Sequence, residues 1–312
     1  MKGREALVTR ARGLSTHLLP ASALGEMAAL SDLRALADAL VQHGYLTRPP
    51  DAPPATARDL ELAIRRAQAL CVATLVRWCP PPRHELAPLL EDEDVRSLRA
   101  IIRGAAAGEP ALRRLAGLMP TPSLPAAALD ELAALDDLGA IAATLAAWGH
   151  PFARPVLDAS RRPQADLFAL EQEVVRTWAE RAVRAARHAD DALRRYVRAT
   201  VDRANRRIAR VLALHRVDAA AGSLFIPGGE AVRMDDLVTA QRSHDAQFLD
   251  ARLSPMLPEF RRRALQEPLS LAPVVTLFLR LRQERHALLR IIWGIALGMP
   301  PRLRTDAPLE VA

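Results

Sequence analysis

Apolar residues recur at intervals of three and four along most of this chain, the spacing that lays a single apolar stripe down a helix. One stripe runs through Leu193, Val197, Val201, Ala204, Ile208, Val211 and Leu212. It predicts that the chain's longest helix lies between Asp166 and Val217, with a break near His188 to Asp191. On the opposite face Arg198, Asp202 and Arg206 follow at four-residue steps, which reads as a solvated surface worth about 0.2–0.5 kcal/mol per pair. A second stripe is centred on Leu288 and takes in Leu277, Leu281, Ile292 and Ile295; a third takes in Leu98, Ile101, Ile102 and Ala105. No segment alternates with the period of a strand, so the pattern is all-α.

Two carboxylates fall inside these stripes: Glu284 on the Leu288 face and Asp94 just before Leu98. An unpaired buried charge costs several kcal/mol or titrates until it is neutral. Either each acid pins an Arg from a neighbouring helix and fixes the bundle angle, or each sits at a bundle end within reach of water.

The pattern also repeats. LRAIIRGAAAGEP, Leu98 to Pro110, returns as LLRIIWGIALGMP, Leu288 to Pro300, with both glycines and the closing proline in register. LPASALGEMAALSDL, Leu19 to Leu33, is echoed by LPAAALDELAALDDL, Leu124 to Leu138, and Gly44 and Gly149 follow at matching distances. Repeats this far apart imply duplicated helical domains in series rather than a thin solenoid. We place three units at 1–117, 118–221 and 222–312, with joints near Gly117 and Gly222. Ser31 and Asp136 are candidate helix N-caps, with Gly44 and Gly149 as stops. Prolines punctuate the connections: Pro49, Pro50, Pro53 and Pro54; Pro80 to Pro82; Pro120, Pro122 and Pro125; Pro151, Pro155 and Pro163; Pro255 and Pro258.

Composition sharpens this picture. Half of the 312 residues are hydrophobic but only 4% aromatic, so the cores must be built from Leu, Ala, Val and Ile. The formal net charge of +7 is carried almost wholly by Arg, since Lys2 is the only lysine. Arg-only basicity fits phosphate recognition or simply a GC-rich genome. The Arg194 to Arg216 stretch has the electrostatic footprint of a nucleic-acid binder, but acids interrupt it and stacking aromatics are scarce, so nucleic acid is disfavoured as a partner. Cys71 and Cys79 have no zinc-site company and read as reduced structural thiols. The opening MKGREALVTRARG has no apolar signal core, and the longest apolar run, GAIAATLAAW, is too short to span a bilayer.

Enzymatic chemistry finds no footing. A phosphate-binding loop needs a lysine after its glycines, and none is available, so direct nucleotide binding of that kind is excluded. His84 and Glu85 lack the second His of a zinc-protease helix, and Ser223 after Gly222 lacks the second glycine of a nucleophile elbow. Pro227, Gly228 and Gly229 read as a turn. Neither a metal set nor a cofactor is expected.

Several segments resemble the C-type stalk protein of bacterial and archaeal V-type/A-type ATPases, the counterpart of the d-type protein of the eukaryotic V-ATPase. TRARGLSTHLL, Thr9 to Leu19, is similar to the family's opening helix, and ALSDLRALADALVQHGY, Ala29 to Tyr45, to the next. EDEDVRSLRAIIRG, Glu91 to Gly104, resembles its recurrent helix, in which an acid precedes Asn, Leu and a basic residue. That helix returns as VDRANRRIARVL, Val201 to Leu212, and as QERHALLRIIWG, Gln283 to Gly294. Asn205 keeps the family's Asn, whereas Ser97 and Ala287 replace it. LFIPGG, Leu224 to Gly229, resembles the turn opening the third domain, so Asp94, Asn205, Glu284, Gly228 and Gly229 are the expected structural positions.

The resemblance implies a funnel of three similar helical bundles in pseudo-threefold arrangement. It would be a non-catalytic central-stalk subunit, cytoplasmic and peripheral to the cell membrane. Its partners would be the central rotor shaft and the membrane proteolipid ring, and it would pass rotation between them for proton or sodium transport. Arg99, Arg103, Arg207 and Arg290, on the repeated helices, are the candidate interface residues. A helical scaffold unrelated to ion pumping, or an Arg-rich nucleic-acid-binding protein, are the alternatives.

Overall fold

A computed structural model describes residues 2–47, 55–79, 85–161, 166–214 and 221–305. The expectations for Pro49 to Pro54, Pro80 to Pro82, His84, Pro163, Arg216 and Val217 lie outside these residues. The described residues form helices and no strand. The first group is α1 (Lys2–Ser15), α2 (Ala21–Ala28), α3 (Leu33–Gln42) and α4 (Ala57–Arg77). Then come α5 (Ala87–Ala106), α6 (Ala111–Arg114), α7 (Ala126–Ala133), α8 (Leu138–Ala147), α9 (Ala153–Ser160) and α10 (Leu167–Ala186). The last are α11 (Asp191–Leu214), α12 (Ala221–Leu224), α13 (Met234–Ser243), a 3-10 turn (Gln247–Arg252), α14 (Met256–Gln266), α15 (Ala272–Ala296) and α16 (Pro301–Thr305).

The break predicted near His188 is real: Asp190 receives the Ala192 N–H at 2.9 Å and starts α11 afresh. Among the described residues the longest helix is α15, at 25 residues against 24 for α11, whose last described residue is Leu214. The segment at the start of α15, Ala272 to Leu279, is apolar except for Thr276, is buried all round and lengthens the helix beyond what the stripe around Leu288 indicated.

The N-caps fall one residue after the expected ones. Asp32 accepts the Ala35 N–H and Asp137 the Ala140 N–H, each at 2.8 Å. The Ser31 hydroxyl donates to Asp32 instead, and Asp136 is engaged by Arg114. Gly44 and Gly149 do stop their helices, at φ of 72° and 64°, where a side chain would be strained. The two stops match in detail: Tyr45 N–H returns to the Leu40 carbonyl, and His150 N–H to that of Leu145.

The repeat extends past the prolines that close it. Arg114 lies four residues after Pro110, Arg304 four after Pro300, and both are almost fully buried. Each donates to three carbonyls: Arg114 to Glu109, Ala133 and Leu135, and Arg304 to Met299, Ala28 and Leu30. Arg114 thereby ties α6 to the end of α7, and Arg304 ties α16 to the end of α2. Each Arg stem lies against a helical glycine, Gly104 or Gly294, where a Cβ would collide with it. The C-terminal helices thus use the N-terminal ones as α5 and α6 use α7, and α1 and α2 pack on α15 and α16.

Two apolar cores result. The larger runs from α1 to α15, and the smaller joins α2, α3 and the start of α4 to the second half of α15 through Leu288, Ile291, Ile292 and Ile295. The face of α11 expected to be solvated is covered instead. Asp202 and Arg206 are 3% and 6% exposed, because residues 226–232 and Asp250 lie over them, and Arg198 alone stays at the surface with Glu230.

Candidate functional site

Three long helices, α5, α11 and α15, each place an acid in the interior: Asp94, Asp202 and Glu284, all at most 3% exposed. Each acid holds the segment that leads into a short helix. Asp94 accepts the hydroxyls of Thr121 and Ser123 before α7. Asp202 accepts the backbone N–H groups of Glu230, Ala231 and Val232 before α13, at 3.0–3.1 Å. Glu284 accepts the Leu19 N–H before α2 at 2.5 Å, and the Tyr45 hydroxyl.

Among the described residues no Arg pairs with Asp94 or Glu284 as expected; hydroxyls and a backbone amide take that place. Of the nearby guanidinium groups, Arg181 is held by Glu91 and Arg280 donates to the Ser15 carbonyl. Burial raises both carboxyls, Asp94 to about 7 in spite of its two hydroxyl donors. His150 Nε2 lies 4.0 Å from Asp94, but burial lowers the imidazole to about 4, with the charge of Arg181 adding to the effect. Between those values both groups are neutral, so the contact is not an ion pair there.

Asn205 stands one turn beyond Asp202 and is fully satisfied: its amide donates to the Ile226 carbonyl at 2.8 Å and its oxygen accepts the Ile226 N–H at 2.9 Å. Gly228, at φ 111°, turns beneath Val183, and Gly229 leaves room for the Asp202 carboxylate. Pro227 to Gly229 is a turn, as its composition indicated. Buried Ser97 occupies the place equivalent to Asn205 on α5.

A denser ionic cluster lies where α5, α11 and α15 meet. Asp92 accepts the Tyr196 hydroxyl at 2.6 Å and Arg282 at 2.8 Å, with Arg96 at 3.4 Å. Glu93 accepts Arg282 Nε at 2.8 Å and Arg285 at 3.0 Å. Gln68 of α4 joins the cluster through Arg285 and donates to the Leu281 carbonyl at 2.9 Å. Burial opposes ionisation of Glu93, yet Arg282 and Arg285 hold its carboxyl well below the usual carboxylate range. Alongside, Glu171 of α10 is shared by Arg99 and Arg103. Five guanidinium groups therefore face three carboxylates, and positive charge is left over.

That excess borders a cavity of about 670 Å³. Its walls carry Arg96 and Arg99 from α5, Arg203 and Arg207 from α11, Arg261 from α14, and Arg282 and Arg290 from α15, against the single acid Asp92. Val175, Trp178, Met256 and Leu279 supply apolar surface between them. Trp178 is fixed by its indole N–H on the Pro88 carbonyl at 3.1 Å. Burial lowers the Arg207 guanidinium to about 9, and Arg99, Arg96 and Arg103 push it the same way. His286, also on the wall, is lowered to about 4 by burial and by Arg285, Arg282 and Arg96.

Of the four arginines singled out in the sequence, Arg99, Arg207 and Arg290 line this one cavity, and Arg103 stands beside it on Glu171. The basic run on α11 is locally compensated elsewhere: Arg194 and Arg195 pair with Asp191, Arg198 with Glu230, and Arg210 with Asp250. Sequence reasoning missed Asp92, Glu93, Glu171, Tyr196, Arg282 and Arg285. The four consecutive acids Glu91 to Asp94 were the available signal, because four successive positions of a helix cannot all face water once it is buried.

Among the described residues no group of His, Cys, Asp and Glu is placed to hold a metal ion, and no helix is long and apolar enough to cross a membrane. Neither Cys71 nor Cys79 is in a disulfide, and the Cys71 thiol is raised to about 11 by burial and Glu284. Residues 7–255 match the family described as ATP synthase (C/AC39) subunit. No curated protein matches the chain.

Proposed function

Because this chain belongs to the ATP synthase (C/AC39) subunit family, a non-catalytic stalk subunit of V/A-type ATPases, we propose that it couples the central rotor shaft to the membrane proteolipid ring. The protein works by shape and grip, passing rotation between the two for proton or sodium transport. It sits on the cytoplasmic side as a peripheral member of the complex. Its repeats form three helical units, 1–117, 118–221 and 222–312, arranged about a pseudo-threefold axis.

The observation that supports this reading best is the Arg-walled cavity enclosed by helices from distant parts of the chain. Its walls are cross-braced by the buried Arg282 cluster, and the Arg114 and Arg304 ties brace helices elsewhere in the fold. A coupling element must transmit torque without deforming, and densely packed helices with many long-range ties resist deformation. In this reading the cavity receives the shaft, with Arg99, Arg207 and Arg290 at the contact and Arg103 supporting them.

Reconstitution tests the assignment. The chain should co-sediment with proteolipid-ring vesicles and, separately, with the purified shaft of a rotary ATPase. Folded protein that binds neither partner contradicts the coupling role.

A further inference from the structure

The free chain already holds a set of hydrogen-bond donors that its own fold leaves unused. On α15, Gln283, His286 and Arg290 follow at steps of three and four and all line the cavity, so amide, imidazole and guanidinium form one stripe on its wall. Arg207 reaches the same space from α11 and Arg261 from α14. None of these five side chains makes a hydrogen bond or ion pair among the described residues. The acid that acts on Arg207, Glu171, is already shared by Arg99 and Arg103. Arg207 and Arg290 are half-buried and Arg261 is exposed, so the charge runs from the surface inward.

Donors without acceptors call for an anion rich in oxygen. A lone carboxylate brings one charge and two oxygens, too little for three guanidinium groups and two further donors. Each phosphate group brings about −1.5 to −2 charges and three strong acceptor oxygens near neutral pH, and the planar fork of Arg grips such oxygens in pairs. Two linked phosphates therefore match the set. The volume of about 670 Å³ is that of a small-molecule site. Val175, Met256 and Leu279 leave apolar wall for a body attached to the phosphates.

We propose that the cavity binds an oligophosphate, a small molecule with two linked phosphate groups, through Arg207, Arg261 and Arg290, with Gln283 and His286 as added donors. Binding itself is a property of the free chain and does not depend on the coupling role. Its consequence for assembly rests on that role: where the shaft enters the cavity, the two occupants exclude each other, and the oligophosphate controls attachment.

The test is calorimetric titration of the full chain with pyrophosphate, orthophosphate and sulfate at about 150 mM salt. Pyrophosphate should bind at least roughly ten-fold more tightly than the other two. Arg207→Met and Arg290→Gln should each weaken it roughly ten-fold, and together roughly a hundred-fold. Arg154→Gln, at an exposed site outside the cavity lining, should leave it unchanged. Pyrophosphate should raise the melting temperature of the parent and not that of the double variant, whose own cooperative melting shows that it folds. His286 is held near 4 by burial and by Arg285, Arg282 and Arg96, with Glu93 opposing them. Its ring C–H resonance should titrate at higher pH once the anion is bound. ADP and geranyl diphosphate distinguish the sources of the diphosphate group, the tighter binder identifying a nucleotide or an isoprenoid body.

Equal affinity for the three inorganic anions marks an adventitious ion only and overturns the inference, as does undiminished pyrophosphate binding by the double variant. A chain that takes pyrophosphate but not the shaft keeps this site and loses the coupling role. A chain that takes the shaft but not pyrophosphate does the reverse.

Discussion

At the scale of single residues, Asp94 and His150 form a pair whose effects on stability run in opposite directions. Asp94 is raised from 3.8 to about 7, so the native state keeps a proton that the unfolded chain has already released. Its contribution is present below the unfolded carboxyl range and is lost as pH rises through about 7. His150 is lowered from 6.5 to about 4, so its contribution is present above 6.5 and is lost as pH falls toward 4. Between those limits the two slopes offset one another. Asp94→Asn removes one of them, and urea unfolding of that variant should show stability climbing between about pH 4 and 6.5, by roughly 1–3 kcal/mol relative to the parent. Curves for parent and variant that run parallel across this range would refute the assignment. That Asp94 and Glu284 lie inside apolar stripes was plain from the helical period. Their partners were not, because Thr121, Ser123, Leu19 and Tyr45 come from segments whose approach depends on tertiary packing. A helical period fixes which face a residue occupies, and not what arrives there.

At the scale of elements, the duplicated helix ends make a paired experiment possible. Gly104 and Gly294 each lie against the stem of a buried Arg, whereas Gly25 within α2 has nothing within 4 Å of the position a Cβ would take. Helix propensity alone favours alanine at all three by about 0.5–1 kcal/mol. Gly25→Ala should therefore stabilise the protein by about that amount. Gly104→Ala and Gly294→Ala should destabilise it by about 1–3 kcal/mol, since Arg114 and Arg304 must shift off their carbonyl bonds. Chemical denaturation of the three variants checks the signs, and a gain at Gly104 would show that the close approach is not required. Asp202→Ala leaves the N–H groups of Glu230, Ala231 and Val232 without their acceptor, and should cost about 2–4 kcal/mol by the same measurement. The repeat itself was legible, because glycines and prolines holding register over long stretches of chain are hard to produce by composition. The function of Arg114 and Arg304 was legible only in part. Their equal distance from the closing prolines was on display, but exposed arginines near a helix end are so common that burial could not be inferred. The covered face of α11 failed for a similar reason: Arg198, Asp202 and Arg206 look like surface spacing until the turn at Gly228 and Gly229 folds over Asp202 and Asp250 reaches Arg206.

At the scale of the whole molecule, the chain returns on itself. The second half of α15 completes the core begun by α2 and α3, and Arg304 closes the join, so the last helices are structural partners of the first. Truncation before α15 should consequently expose the smaller core and not merely shorten the protein, with loss of cooperative unfolding as the readout. Around the cavity the same closure brings α5, α11, α14 and α15 together and concentrates arginines from four separate stretches of sequence. Their even distribution along the chain concealed this, and only the fold turns a modest net charge into a focused positive field. The claim that this field grips a rotor shaft is tested most directly by a density map of the assembled rotary enzyme. The expected map has the tip of the shaft inside the cavity, in contact with Arg99, Arg207 and Arg290. A map with the shaft attached elsewhere and the arginine walls facing only solvent would contradict it.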